Sequence, residues 1–492
     1  MSEFSELLGN IIKINNISVY SLSRDIECGR TWLQKVITGE RHMDFESFKK
    51  LYRRMNSYID TIGLSKLYES FILDYYGQKE YSIIQYIKER LLETKKLKDY
   101  IVRCVQQEED ITDYINTKGI DDCEKEIIQK VYTNMIEEID CSCKDKRSPQ
   151  LYINIPSNWK YIKNMILIIL NAKGVKETEK FKYLSNCRFE NNLEKVQIEN
   201  FLTSTEFASY GYNTYEGDTN FGFQALSNNI FPYYIITSKI VIMISEDGKA
   251  YIENTSIKII RKISESFEKI VAERKSFLDI VTPDIYSSVA IDKTIDETNE
   301  FFELSNGISV TRFYTKDILQ QILAGDYPNR EFMIETLNMF YENSRRAVSS
   351  MYFTIPSVRH FMETDESKNE GGYFNLNFTY EIKLELLKRI YEYYKEGKGE
   401  IHMIKADKYL VADGIFIFGW AEKIICASNY IYNKGNAIDA MAVISSPWIA
   451  RHMRNFNQYI MHSDVCLDHE NSLRVLENLI RSYEGKKKRK IS

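Results

Sequence analysis

Two stretches of this chain constrain its fold more than any others. YYIITSKIVIMISEDGKAYIEN (233–254) and GEIHMIKADKYLVADGIFIFGWAEKIICAS (399–428) carry short β-branched and aromatic runs broken by turn residues. The first reads as two strands around the turn Glu246-Asp247-Gly248-Lys249. The second reads as three or four strands with a turn at Ala412-Asp413-Gly414. Helical patterns surround both. SIKIIRKISESFEKIVAERKSFLDIV (256–281) follows the first as one long amphipathic helix, while FTYEIKLELLKRIYEYYKEG and ENSLRVLENLIRSYEG flank the second. The expected fold class is therefore α+β. The similar order of elements allows two related halves, an echo in order alone.

The first 145 residues carry almost no strand signal. Leu7, Leu8, Ile11 and Ile12 fall at one-face helical spacing, and Asn15-Asn16 ends that helix. Ser18 is placed to cap a second helix carrying Leu22 and Ile26, and Cys28-Gly29 marks a turn. A third helix runs from about Arg30 to Thr38 and is stopped by Gly39. Asp44 is placed to cap a fourth, with Phe45, Phe48 and Leu51 inward. From 62 to 145, charged and apolar residues interleave at a period near that of a helix. KDKRSPQ (144–150) is a candidate boundary, TDESKNEGG (364–372) a candidate loop, and GKKKRKIS a basic disordered tail.

Composition bounds the function. The chain has 492 residues and a net charge of −5, so a nucleic-acid site must be local rather than global. Eight cysteines without a regular framework read as reduced thiols. MSEFSELLGN is acidic and polar, unlike a signal peptide, and the longest apolar run, MILIIL (165–170), is too short to span a membrane. A cytoplasmic location and no membrane partner are expected.

RTWLQKVITGER (30–41) holds the clearest chemistry. A helix that reads a major groove needs an apolar face for its own domain and long hydrogen-bonding side chains on the other face. It also needs a preceding helix that crosses the phosphate backbone. Leu22, Ile26, Leu33 and Val36 form an apolar seam, and Arg30, Thr31, Gln34 and Lys35 fall opposite it. Arginine can bond guanine bidentately and glutamine adenine. Arg24 and Arg41 lie at the edges, where phosphates would be. Trp32 suits the seam as support, or a sugar-phosphate contact. No acid interrupts the run from Arg30 to Gly39.

LSRDIECGRTWLQKVITGER resembles the helix-turn-helix of the phage repressor and Cro (XRE) family. The matching residues are Leu22-Ser23, Ile26, Gly29-Arg30-Thr31, Leu33, Val36, Gly39 and Arg41. Glu27 stands where the family often has glycine, and Ile37-Thr38 replaces a common glutamate. The resemblance covers about 55 residues of the 492. It implies double-stranded DNA as partner, with Arg30, Thr31, Gln34 and Lys35 contacting it. The expected layout is a multidomain α+β chain: a helix-turn-helix domain over 1–60, a helical connector and dimerisation region over 61–148, an α+β region over 149–290, an α+β sensor region over 291–484, and the tail over 485–492.

Catalytic signatures are absent from the remainder: no Gly-x-x-x-x-Gly-Lys-Ser/Thr, Gly-x-Gly-x-x-Gly, Gly-x-Ser-x-Gly or His-Glu-x-x-His occurs. His402-Met-Ile-Lys405, with Asp413 downstream, is similar to the His-x-Lys motif of phospholipase-D-like proteins, but one residue too long. That puts the lysine on the opposite strand face, so a buried or edge-strand histidine is expected. His462, Cys466 and His469, near Asp464 and Asp468, lack the second cysteine pair of a zinc site, and no metal or cofactor is expected. Cys141 and Cys143 read as ordinary thiols. FASYGYNTYEGDTNFGF (207–223) joins aromatics to glycines, so Tyr210, Tyr212, Tyr215 and Phe221 are candidates for lining an effector pocket. The leading expectation is a one-component transcription regulator, homodimeric, sensing a small molecule or peptide, with no enzyme activity. The alternative is an enzyme or phage-defence effector whose helix-turn-helix serves autoregulation or docking.

Overall fold

The structure is a computed structural model. It describes residues 2–92, 122–156, 181–186, 193–209, 214–217, 231–273, 279–281, 301–364 apart from 306, 324 and 326–328, 378–408 apart from 407, 415–420, 423–428 and 440–491, and part of 159–173. The fold is mixed α+β, with helices at the N-terminus and two sheets after residue 150. The chain divides into two compact units, one of residues 1–89 with His452–Asp468, the other of Arg90–Arg451 with His469–Ser492.

The first unit begins with α1 (Glu3–Ile14), α2 (Val19–Asp25), α3 (Arg30–Ile37) and α4 (Phe45–Met55). Ser2, Ser18 and Asp44 cap their helices by accepting from the backbone three residues on. Asn16 and Gly39 take positive φ of 51° and 75°, which turns the chain out of α1 and α3. α5 (Thr61–Leu92) is interrupted at Gly77, whose φ of 77° no helix accepts. The core is aromatic: Phe48 stacks on Phe71 at 3.7 Å between centroids, with Phe4 and Phe45 edge-on to Phe71. The unit is completed from far along the chain. Tyr68 donates to the Tyr459 carbonyl at 2.7 Å, and His452 meets Glu80 at 2.6 Å.

The second unit starts with α6 (Asp122–Asp145) and holds the strands. The first sheet is built from β1 (Leu151–Pro156), β2 (Phe181–Asn186), β3 (Thr214–Gly217), β4 (Tyr233–Ile236), β5 (Val241–Ile244) and β6 (Tyr251–Asn254). Helix α7 (Leu193–Ser209) lies between β2 and β3, and α8 (Ile257–Ala272) follows β6. β7 (Asp279–Val281), β8 (Phe301–Leu304), α9 (Lys316–Ile322), α10 (Arg330–Arg346), β9 (Ser349–Phe353), α11 (Ile355–Glu363), α12 (Tyr380–Lys395) and β10 (Gly399–Met403) come next. β11 (Ile415–Trp420), β12 (Lys423–Ser428), β13 (Ala440–Ser445), α13 (Pro447–His462) and α14 (His469–Ile491) end the chain.

The sheets are topological copies. The first runs β3-β2-β1-β4-β5-β6, the second β10-β9-β8-β11-β12-β13-β7. In each, three successive strands are parallel with the earliest innermost, and the next three extend the sheet as antiparallel hairpins. The echo of element order in the sequence is thus a repeat of sheet topology. β7 adds a seventh strand only to the second copy, antiparallel to β13. Isoleucines 153, 155, 235, 242 and 244 pack one face of the first sheet on α6, while Tyr152, Tyr234, Ile236 and Val241 pack the other on α8. α7 packs against β12 and β13 of the second sheet.

Several expectations are corrected. The stretch 233–254 forms three strands, because Thr237–Ile240 is also a turn. The helix after it ends at Ala272, and Asp279–Val281 is a strand. Within 61–148, α5 up to Glu89 falls in the first unit, while α6 packs on the first sheet. Residues 1–60 lie within the first unit, which runs to Glu89 and takes in His452–Asp468. The tail continues α14 as helix to Ile491, in keeping with the good helix propensity of lysine and arginine. TDESKNEGG after Thr364 and the turn at 412–414 lie outside the described residues.

Candidate nucleic-acid interface

The α2–α3 pair is seated by its apolar seam. Leu22, Ile26, Leu33 and Val36 are each 1% exposed or less. Ser5 on α1 donates to the Val36 carbonyl at 2.7 Å, which fixes the end of α3 from behind. The turn between the helices passes through Glu27 at φ 57°, the left-handed region for which glycine is the easy residue. This position therefore makes a real conformational demand on its residue. Lys50 on α4 forms an ion pair with Glu27, and Arg54 pairs with Asp25 at 2.9 Å.

Arg30, Thr31, Gln34 and Lys35 all lie exposed on one side of α3, as do Arg24 and Arg41 beyond its ends. Trp32 is half-buried. The nearby acids are engaged: Asp25 by Arg54, Glu27 by Lys50, and Glu40 by the Thr38 hydroxyl at 3.0 Å. Among the described residues, Arg30, Lys35 and Arg41 have no ion-pair partner. The surface thus offers uncompensated cations around an amide side chain, a chemistry suited to phosphates and base edges.

Tyr215 sits on β3 and packs beside Tyr152, Tyr234 and Phe267, while Tyr210, Tyr212 and Phe221 lie outside the described residues. His402 is fully buried on β10, 3.1 Å from Glu400 and facing the Tyr352 ring. His462 packs on Phe45 in the first unit, and His469 accepts from the Ile401 backbone N–H in the second. Among the described residues no group of histidines, cysteines and carboxylates is arranged to hold a metal ion. No helix among them is long and apolar enough to cross a membrane.

One site escaped the sequence reading. On α7, Glu199 accepts from Arg90 Nε at 3.1 Å, from Thr203 Oγ1 at 2.9 Å and from Lys163 Nζ. Lys163 also donates to Thr203 at 3.0 Å, and none of the four residues is more than 4% exposed. The available signal was a lysine set just before the apolar run MILIIL and a glutamate inside IENFL.

No family model and no curated protein matches the chain. Among solved structures it is similar to a phosphatidylserine synthase of Haemophilus influenzae Rd KW20, with 10% identity and a TM-score of 0.21, over 73% of this chain and 92% of that one. The expectation of a one-component transcription regulator is corrected: no comparison supports it. At such a TM-score the likeness carries no activity over to this chain.

Proposed function

We propose that this chain is an effector protein of the enzyme or phage-defence class, whose helical first unit docks it on duplex DNA. The observation that carries the docking is the face of α3. Arg30 and Lys35 stand there exposed and uncompensated, with Thr31 and Gln34, above a fully buried Leu33 and Val36. In this reading α3 enters the major groove, and Arg24 and Arg41 meet phosphates. The effector part is the repeated α+β body. Support for that comes from the polar centre on α7, where two cations and a carboxylate are held together out of water. Buried charges are costly and are often kept for a task.

Fluorescence anisotropy of the full chain on a mixed-sequence duplex, across a salt series, tests the docking. Binding should weaken with salt, and Arg24→Ala or Arg41→Ala should each lower the salt slope by about 1. Binding that Arg30→Ala/Lys35→Ala leaves unchanged contradicts it.

A further inference from the structure

The topological repeat exposes a difference between the two sheets. In the second, the outer side of β13 is covered by β7, an antiparallel strand. In the first, β6 holds the corresponding place, and among the described residues no strand pairs with its outer side. We propose that a second copy of this chain fills that place, β6 pairing antiparallel with β6 across a two-fold axis.

The ladder fixes the register. Ser245 N–H donates to the Ala250 carbonyl, and Ile244 stands opposite Tyr251. Main-chain groups alternate in direction along an antiparallel strand, so Ile252 and Asn254 bond inward to β5, while Tyr251 and Glu253 point theirs to the open side. The register that joins all of these outward groups sets Tyr251 opposite Glu253 of the second copy, and Ile252 opposite itself. Ile252 is 44% exposed, and Ile257 and Ile259, at the start of the helix covering the same face, are also exposed. Self-pairing covers the isoleucine that the single chain leaves in water. Charge agrees with this register: Lys249 falls diagonal to Glu253 of the second copy, within reach of a long side chain, on both sides of the axis. No like charges face each other. A short strand pair makes a small interface, so the dimer should dissociate on dilution. The contact is independent of DNA docking.

Sedimentation velocity on the full chain, over a dilution series, tests this. The parent should pass from dimer to monomer. Ile252→Lys should be monomeric throughout with an unchanged melting temperature, because it sets two lysines face to face at an exposed position. Ile252→Cys adds a positive readout. Non-hydrogen-bonded pairs bring Cα atoms to about 4.5 Å, within disulfide reach. Under mild oxidation this variant should yield a covalent dimer that the parent and Thr255→Cys do not. A parent that is monomeric at every concentration, or an Ile252→Cys variant that gives no more cross-linking than Thr255→Cys, overturns the proposal.

Discussion

Lys50 on α4 pairs with Glu27, the residue that carries the chain through the left-handed turn between α2 and α3. Its position tethers the turn to the helix behind it. The Lys50 ammonium, as hydrogen-bond donor and as charge, holds the Glu27 carboxyl below its ordinary pKa. The pair is solvent-exposed, so its stabilisation is small and screened by salt. Backbone conformation should dominate. Glu27→Gly is expected to keep or raise the melting temperature, and Glu27→Val to lower it, because a β-branched residue resists positive φ. Thermal denaturation by circular dichroism checks both.

Glu199 is a carboxylate that Arg90 and Lys163 share at the α7 centre. Its removal takes from two buried cations the carboxylate they share. Glu199→Gln should cost about 3–5 kcal/mol, the range for breaking a buried ion pair. Replacing Lys163 and Glu199 together by methionine and leucine should cost less than the single change, since one buried cation, Arg90, then loses the shared carboxylate rather than two. Urea unfolding of the three proteins decides the point. A double variant no more stable than Glu199→Gln would mean that the charges do not act as one group.

In the second sheet, Gly419 stands opposite Phe302 on the neighbouring strand. A Cβ at Gly419 would lie 2.2 Å from the Phe302 ring. Gly419→Ala should therefore destabilise by about 1–3 kcal/mol, the cost of overpacking a core. Phe302→Leu in the same chain should recover part of that loss. A double variant no better than the sum of the single changes would show that the ring is not what excludes the methyl group.

Acid should act on the first sheet through Glu138. Burial by itself would raise this carboxyl's pKa. Hydrogen bonds from Arg147, Ser238 and the Gln150 backbone outweigh burial and hold it below the ordinary glutamate value. A depressed folded-state pKa stabilises above the unfolded pKa, and that contribution fades as pH falls through the folded value. Stability of the parent should thus decline as pH drops below about 4.5, the ordinary value. Glu138→Gln should be less stable at neutral pH and show a flatter acid limb. Equal slopes for the two proteins would remove Glu138 from the acid response.

Local physics made much of this legible in the sequence. The caps Ser18 and Asp44, the stops at Asn16 and Gly39, and the buried seam of Leu22, Ile26, Leu33 and Val36 are short-range effects of side-chain chemistry and period. The strands of 233–254 and 399–428 were visible for the same reason. What escaped was long-range. Nothing near Tyr68 announces that its hydroxyl meets the Tyr459 carbonyl, so the extent of the first unit could not be read locally. The repeat of sheet order depends on which strands pair, and pairing leaves little trace in a single strand's pattern. Of the tyrosine-rich stretch, Tyr215 packs half-buried against the core on one face of the first sheet, where aromatic area is used for packing.

The central claim is that α3 docks the chain on duplex DNA, and selection from a pool of random duplexes tests it most directly. The full chain and its Arg30→Ala/Gln34→Ala variant would be run side by side, followed by titration of the selected duplex. The parent should enrich a short shared sequence, and the variant should lose about 1–3 kcal/mol per lost base contact on that duplex and relax its sequence choice. Enrichment of the same sequence by both proteins with equal affinity, or no enrichment by the parent, would contradict the account and leave α3 as a packing helix with a charged face.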